Sequence, residues 1–145
     1  MSYDDSMYAV SNDALKLIKN NQVIGLGSGR AATALVKSLA KLIKLKNYNI
    51  KGIPTSLQIK LVAEKAGIAL IESDQVNHID IVFDGADQID SDKYVIKGGG
   101  GALLRENILF SLAKKVVVMA DKTKFVKKFT RTVPVEIHPL ARNSV

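Results

Sequence analysis

The sequence predicts an α/β fold, a Rossmann-like open and mainly parallel sheet with helices on both faces. Three observations lead there. Short apolar runs alternate with stretches whose apolar residues recur at three-and-four spacing, the signature of strands alternating with helices. Glycine-rich segments fall where those strands end, the edge at which such sheets bind ligands. No internal repeat, low-complexity tract or Pro/Gly/Ser-rich linker divides the 145 residues, so a single domain over 1–145 is expected.

The first helix is expected over Ala9 to Ile18, followed by a strand at Val23 to Leu26 and a glycine turn. A long helix then carries Ala32, Leu35, Val36, Leu39, Leu42 and Ile43 on one stripe, completing a βα unit. Asn49 to Ile53 reads as the next strand; Thr55 is expected to cap a helix bearing Leu57, Leu61 and Val62, which Gly67 ends. Further strands are expected at Ile68 to Ile71, Ile79 to Phe83 and Val116 to Ala120, with a helix from Ala102 to Ala113 before the last. Asp90 to Ile96 reads as a turn and a short strand.

Hydrophobic residues make up 47% of the chain, enough for one real core. No run approaches the roughly 18 apolar residues of a membrane span, and Met1 to Asp5 lacks the basic start of a signal peptide. A soluble, cytoplasmic protein with no membrane partner is the expectation. The chain has no cysteine, which removes disulfides, thiolate catalysis and cysteine-ligated zinc together. A net charge of +7 raises the question of nucleic acid. Much of the excess, however, is one late cluster (Lys114, Lys115, Lys122, Lys124, Lys127, Lys128 and Arg131) without interleaved aromatics or a DNA-binding motif. It reads as a solvated basic face, and no nucleic-acid partner is expected.

Three segments carry chemistry. Gly25-Leu26-Gly27-Ser28-Gly29 leaves a strand and enters a helix, offering bare amides and a helix N-terminus to an anion such as phosphate. The spacing also fits a dinucleotide fingerprint, but the strand Ile50-Lys51-Gly52-Ile53 lacks the acidic residue that would hold a ribose. Asp84-Gly85-Ala86-Asp87 places two carboxylates at the ligand edge, suited either to a turn or to acid and base work. Asp90 and Asp92 extend the acidic run without a calcium-loop pattern and are read as turn residues. Lys97-Gly98-Gly99-Gly100-Gly101 stands between a strand and a helix. Four successive glycines there carry an entropic cost that is best explained by close approach to a ligand or by positive φ. The loop brings Lys97 and the early helical Glu106 toward one pocket. His78 and His138 have no sequence partner for metal binding or a nucleophile relay.

The Asp84-Gly85-Ala86-Asp87 run, then Lys97 through Glu106, then Met119-Ala120-Asp121-Lys122-Thr123-Lys124, closely resembles type A ribose-5-phosphate isomerase. Pro54-Thr55-Ser56 and Pro134-Val135-Glu136-Ile137-His138-Pro139 resemble it too, so the likeness spans essentially the whole chain. The resemblance implies an aldose-ketose isomerase of the pentose phosphate pathway that interconverts ribose 5-phosphate and ribulose 5-phosphate through an enediolate, with no cofactor and no metal. It implies Glu106 as the base, with Asp84, Asp87 and Lys97 lining the sugar and assisting ring opening and charge stabilisation. Ser28, Gly29, Arg30, Ala31, Gly85, Ala86, Gly98, Gly99, Gly100 and Lys124 would complete the substrate site. A homodimer or homotetramer is implied as well.

The chain departs from the family's pattern in places. The usual Thr-Gly-Ser-Thr phosphate turn is Ser28-Gly29-Arg30-Ala31, which loses two hydroxyls and gains a guanidinium. An N-terminal lysine of the family is replaced around Met7 or Tyr8, and the acidic residue after the two aspartates is Gln88. The family also continues through a small C-terminal α+β domain, which the resemblance places outside these 145 residues. A non-catalytic sugar-phosphate-binding or assembly domain of the same fold is the alternative reading.

Overall fold

A computed structural model describes residues 3–144. Its elements run α1 (Tyr3–Leu15), β1 (Val23–Leu26), α2 (Gly29–Lys46), β2 (Lys51–Pro54), α3 (Leu57–Ala66), β3 (Ala69–Leu70), β4 (Ile81–Gly85), β5 (Gln88–Ile89), β6 (Val95–Ile96), α4 (Leu103–Leu112) and β7 (Val116–Met119). Among the described residues five strands form one sheet in the order β3-β2-β1-β4-β7, every neighbouring pair parallel. β5 and β6 form a small antiparallel pair beside it. The order reverses between β1 and β4, so the crevice of a doubly wound sheet opens beyond Leu26 and Gly85.

Strand alternation loads both faces. Ile24, Leu26, Ile81 and Phe83 join Met119 in a core closed by Ala14 of α1, the α2 stripe, and Ile59 and Ala63 of α3. Ile53, Val82 and Ile79 point the other way, against Leu109 of α4. On α2, Ala32, Leu35, Val36 and Leu39 are fully buried, the three-and-four stripe read from sequence. Deleting a leucine side chain here would cost about 2–5 kcal/mol, from lost burial plus the cavity left behind.

Several expected boundaries shift. α1 begins earlier, at Tyr3, where polar residues gave no apolar signal, and ends at Leu15 rather than Ile18. The amides of Lys16, Leu17 and Ile18 then bond three residues back, a tightened turn that still carries Ile18 into the core. Thr55 is not the cap of α3. Its hydroxyl donates to the Leu26 carbonyl at 3.0 Å, fastening β2 to β1, while Ser56 caps the helix by accepting from the Ile59 amide at 3.3 Å. Gly67 ends α3 in the left-handed region, as expected. Asp90 is a turn residue, its Oδ1 accepting from the amides of Asp92 and Tyr94. Gln88 and Ile89, assigned to no element from sequence, form a strand because they pair with Ile96 and Val95. No helix of the described residues is long and apolar enough to cross a membrane.

Candidate active site

The crevice holds a cleft of about 270 Å³, lined by every residue singled out from the sequence: Ser28 to Ala31, Asp84 to Asp87, Lys97 to Gly100, Glu106 and Lys124. Four separate segments reach it because each leaves the same edge of the fold. The tightest approach lies between the β1 and β4 ends. A Cβ at Gly27 would sit 2.6 Å from Asp84 Cα and collide with its carboxylate, so only glycine lets the two chains close. At the glycine run, Gly98 adopts φ +89 and Gly101 φ +74, conformations that side chains disfavour. These positive angles turn the chain from Lys97 back over the cleft and into α4.

Lys97 is the centre of the charge arrangement. Its Nζ donates to the Gly85 carbonyl at 2.7 Å, lies 2.9 Å from Asp84 Oδ2 and 3.4 Å from Glu106 Oε2, and sits 5.6 Å from the centroid of the Phe110 ring. Asp84 and Glu106 are buried, so two carboxylates share one ammonium out of contact with water. Both Lys97 contacts are ion pairs without directed hydrogen-bond geometry: Asp84 Oδ2 and Glu106 Oε2 have no hydrogen-bond partner. Asp84 Oδ1 accepts from the amides of Gly85 at 2.7 Å and Ser28 at 3.2 Å. Burial pushes the Asp84 carboxyl up from its ordinary range against the pull of Lys97, with the neighbouring Glu106 charge adding to the rise.

Around this centre, Asp87 accepts from the Gly99 amide at 2.9 Å and faces Arg131 at 3.8 Å. Glu106 stands in the first turn of α4, whose N-terminus receives no cap from Ala102. A remote residue supplies one: Glu136 Oε2 accepts from the Leu104 amide at 2.6 Å. Gly29, Arg30 and Ala31 form the first turn of α2, which contains no acidic residue. Its amide end and the Arg30 guanidinium therefore give the cleft an anion-favouring wall.

Sequence reasoning missed Met7, Met119, Ala120, Asp121 and Arg131, all of which line the cleft. The position of Met119 to Asp121 at the carboxyl end of β7 could have identified them. Asp121 Oδ1 accepts from the Thr123 amide at 2.6 Å, and bonding from the Thr123 side chain holds its carboxyl below the ordinary range. This caps the turn that presents Lys124. The sequence places Arg131 on a solvated basic face. It reaches Asp87 because Gln88 anchors its segment, bonding the amides of Thr130 and Arg131 and the Thr130 hydroxyl. That basic run is therefore partly a cleft wall. Among the described residues no group of three or more His, Asp or Glu is placed to hold a metal ion.

Known proteins show the same arrangement of chain. The profile of the family described as Ribose 5-phosphate isomerase A (phosphoriboisomerase A) matches residues 51–145. A ribose-5-phosphate isomerase A of Staphylococcus aureus is 41% identical over 128 residues, covering 87% of this chain and 56% of that protein. The solved ribose 5-phosphate isomerase A of Methanocaldococcus jannaschii superposes with a TM-score of 0.84 at 38% identity, over 88% of this chain and 56% of that one. A D-ribose-5-phosphate isomerase in complex with phospho-erythronic acid gives 0.91 at 35% identity, over 99% of this chain and 64% of that one. The chain thus spans between about half and two-thirds of the length of these relatives. With the profile covering more than half of its residues and its fold shared nearly end to end, the chain belongs to the ribose 5-phosphate isomerase A family.

Proposed function

We propose that this chain carries the catalytic site of an isomerase interconverting ribose 5-phosphate and ribulose 5-phosphate. The observation that carries the reading is the pairing of Glu106 with Lys97 inside the cleft, 3.4 Å apart and screened from water. In this reading Glu106 removes the proton at C2 of the open aldose and returns it to C1, a transfer a single carboxylate can serve for both carbons. The C–H electron pair moves into an enediolate, whose negative oxygen Lys97 and the glycine-loop amides stabilise while the hydroxyl proton passes from O2 to O1. Asp84, whose carboxyl burial favours the protonated form, is suited to giving a proton to the ring oxygen on opening, with Asp87 beside it. The α2 amides, Arg30 and Lys124 take the phosphate.

The relative solved with phospho-erythronic acid supports this choice of substrate, because that ligand joins a phosphate to a carboxylate with the charge and planarity of an enediolate. The pentose phosphate pathway, a cytoplasmic setting and a homo-oligomer follow from the same reading. Exposed Leu104, Val133, Val135 and Leu140 support a contact with further protein.

A coupled assay for ketose phosphate formation from ribose 5-phosphate, run on this chain with chelator present, tests the proposal. Turnover is expected. Saturable binding of ribose 5-phosphate without turnover would favour the non-catalytic binding domain instead.

A further inference from the structure

Ser28 occupies the N-cap of α2 with extended backbone, φ −108 and ψ 170. A serine there ordinarily accepts a bond from an amide two or three residues on. Ser28 makes no such bond. Its hydroxyl instead donates to Glu106 Oε1 at 2.6 Å, across 78 positions of sequence, a length typical of a hydroxyl bound to an ionised acceptor. Its amide meanwhile holds Asp84 Oδ1 at 3.2 Å. Lys97 contacts the other oxygen of each carboxylate, so Glu106 is gripped at both oxygens. Ser28 itself has little room to drift, because Gly27 lies flush against Asp84.

We propose that Ser28 is a positioning residue for the proton transfer, its hydroxyl withheld from the helix cap in order to fix the Glu106 carboxylate over the cleft. The proposal rests on Glu106 being the base. In the reaction the carbon-bound proton passes to Glu106, its electron pair stays with the substrate as enediolate, the hydroxyl proton moves from O2 to O1, and the carbon-bound proton returns to the neighbouring carbon. Glu106 therefore alternates between carboxylate and acid. A hydroxyl suits both, donating to the first and accepting from the second, which neither a backbone amide N–H nor an ammonium can do across the full cycle. Ser28 touches no reacting atom and loses no proton in this scheme.

The test compares Ser28→Ala, Ser28→Thr and the near-isosteric Ser28→Cys, whose thiol is a weak donor. Two readouts are taken: kcat and KM, and labelling by glycidol phosphate. In the labelling reaction a carboxylate oxygen attacks the epoxide carbon, an ester forms, the ring C–O bond breaks and the alkoxide takes a proton from solvent. Labelling needs a well-aimed carboxylate but no isomerisation, and mass spectrometry locates it. Loss of one hydrogen bond to a charged group should lower kcat and the maximal labelling rate at Glu106 by about 10- to 100-fold for alanine and cysteine. KM and half-saturation should change little, and threonine should restore both rates to within a few-fold.

Unchanged rates in folded Ser28→Ala and Ser28→Cys, or a loss confined to KM and half-saturation, would overturn the proposal. So would a parent left unlabelled at Glu106. A parent that fails to isomerise, yet labels at Glu106 with the expected serine dependence, would overturn the isomerase reading and uphold the positioning role.

Discussion

Asp80 and Asp84 stand at opposite ends of the same short strand, each beside a lysine, and the fold treats them in opposite ways. Burial is the largest single influence on Asp80 and works against its charge, yet the Val23 amide at 2.9 Å and Lys114 at 3.1 Å together outweigh it and hold the carboxyl below the ordinary range. His78, 3.6 Å away, adds to that pull. Asp84 has a lysine at the shorter distance of 2.9 Å, yet its carboxyl is pushed up, because it is buried and Glu106 competes for the same cation. Proximity of an opposite charge does not decide the outcome. What decides is whether water is excluded and how many charges share the partner. The amino end of β4 holds an acid in its charged form as a fastener, whereas burial at the carboxyl end favours the protonated form of the other.

The largest effect expected from this contrast is at the reactive end. Glu106→Gln preserves shape while removing basicity, so turnover should fall by about 10²–10⁴-fold with binding retained. Steady-state kinetics on an active parent checks this, and a near-parental rate would move the base to Asp84 or Asp87. Next comes Lys97→Met, which strands two buried carboxylates. A loss of about 3–5 kcal/mol of stability is expected at neutral pH. The loss should shrink in acid, since protonating Asp84 removes the charge that burial disfavours. Denaturant melts at pH 7 and pH 4 measure the difference, and a pH-independent loss would mean that Lys97 acts by packing alone.

A smaller effect is expected at the phosphate wall. Arg30→Ala should weaken ribose 5-phosphate by about 1.5–3 kcal/mol and leave unphosphorylated ribose unaffected; equal weakening in calorimetry would show that Arg30 does not read the phosphate. The smallest belongs to the fastener. Asp80→Asn should cost about 1 kcal/mol at pH 7. Because the folded carboxyl of Asp80 is held low, its contribution is present above the unfolded value near pH 4 and is lost as pH falls through the folded one. Parent and variant should therefore converge in acid melts. Asp84 has the opposite sign, its raised carboxyl favouring the fold at low pH and opposing it as pH rises. Convergence at high pH rather than low would break the comparison.

What the sequence disclosed follows from what is local in it. The α2 stripe, the strand runs and the Lys97 to Gly101 loop are patterns of neighbours, and each appears within two residues of where it is read. Glu106 was reachable only through the company of that loop, since a lone helical glutamate looks like any solvated one. Three features hidden from the sequence are long-range. Thr55 looks like a cap until Leu26 is placed beside it. Arg131 looks solvated until Gln88 binds its backbone from 43 positions away. The helix start at Glu106 looks uncapped until Glu136 arrives. Hydroxyls, amides and carboxylates satisfy themselves wherever the fold brings a partner, and adjacent residues do not announce which partner that will be.

The bonds from Ser28 to Asp84 and to Glu106 span 56 and 78 positions, and this separation bears on how the protein is made. During synthesis the anion-favouring turn emerges long before either carboxylate, so a nascent or partly folded chain holds only a fragment of the cleft. Closing such long loops is a late, entropically demanding event. A sugar phosphate that binds only the finished cleft would then act as a pharmacological chaperone, drawing chains into the native state in proportion to its concentration over its dissociation constant.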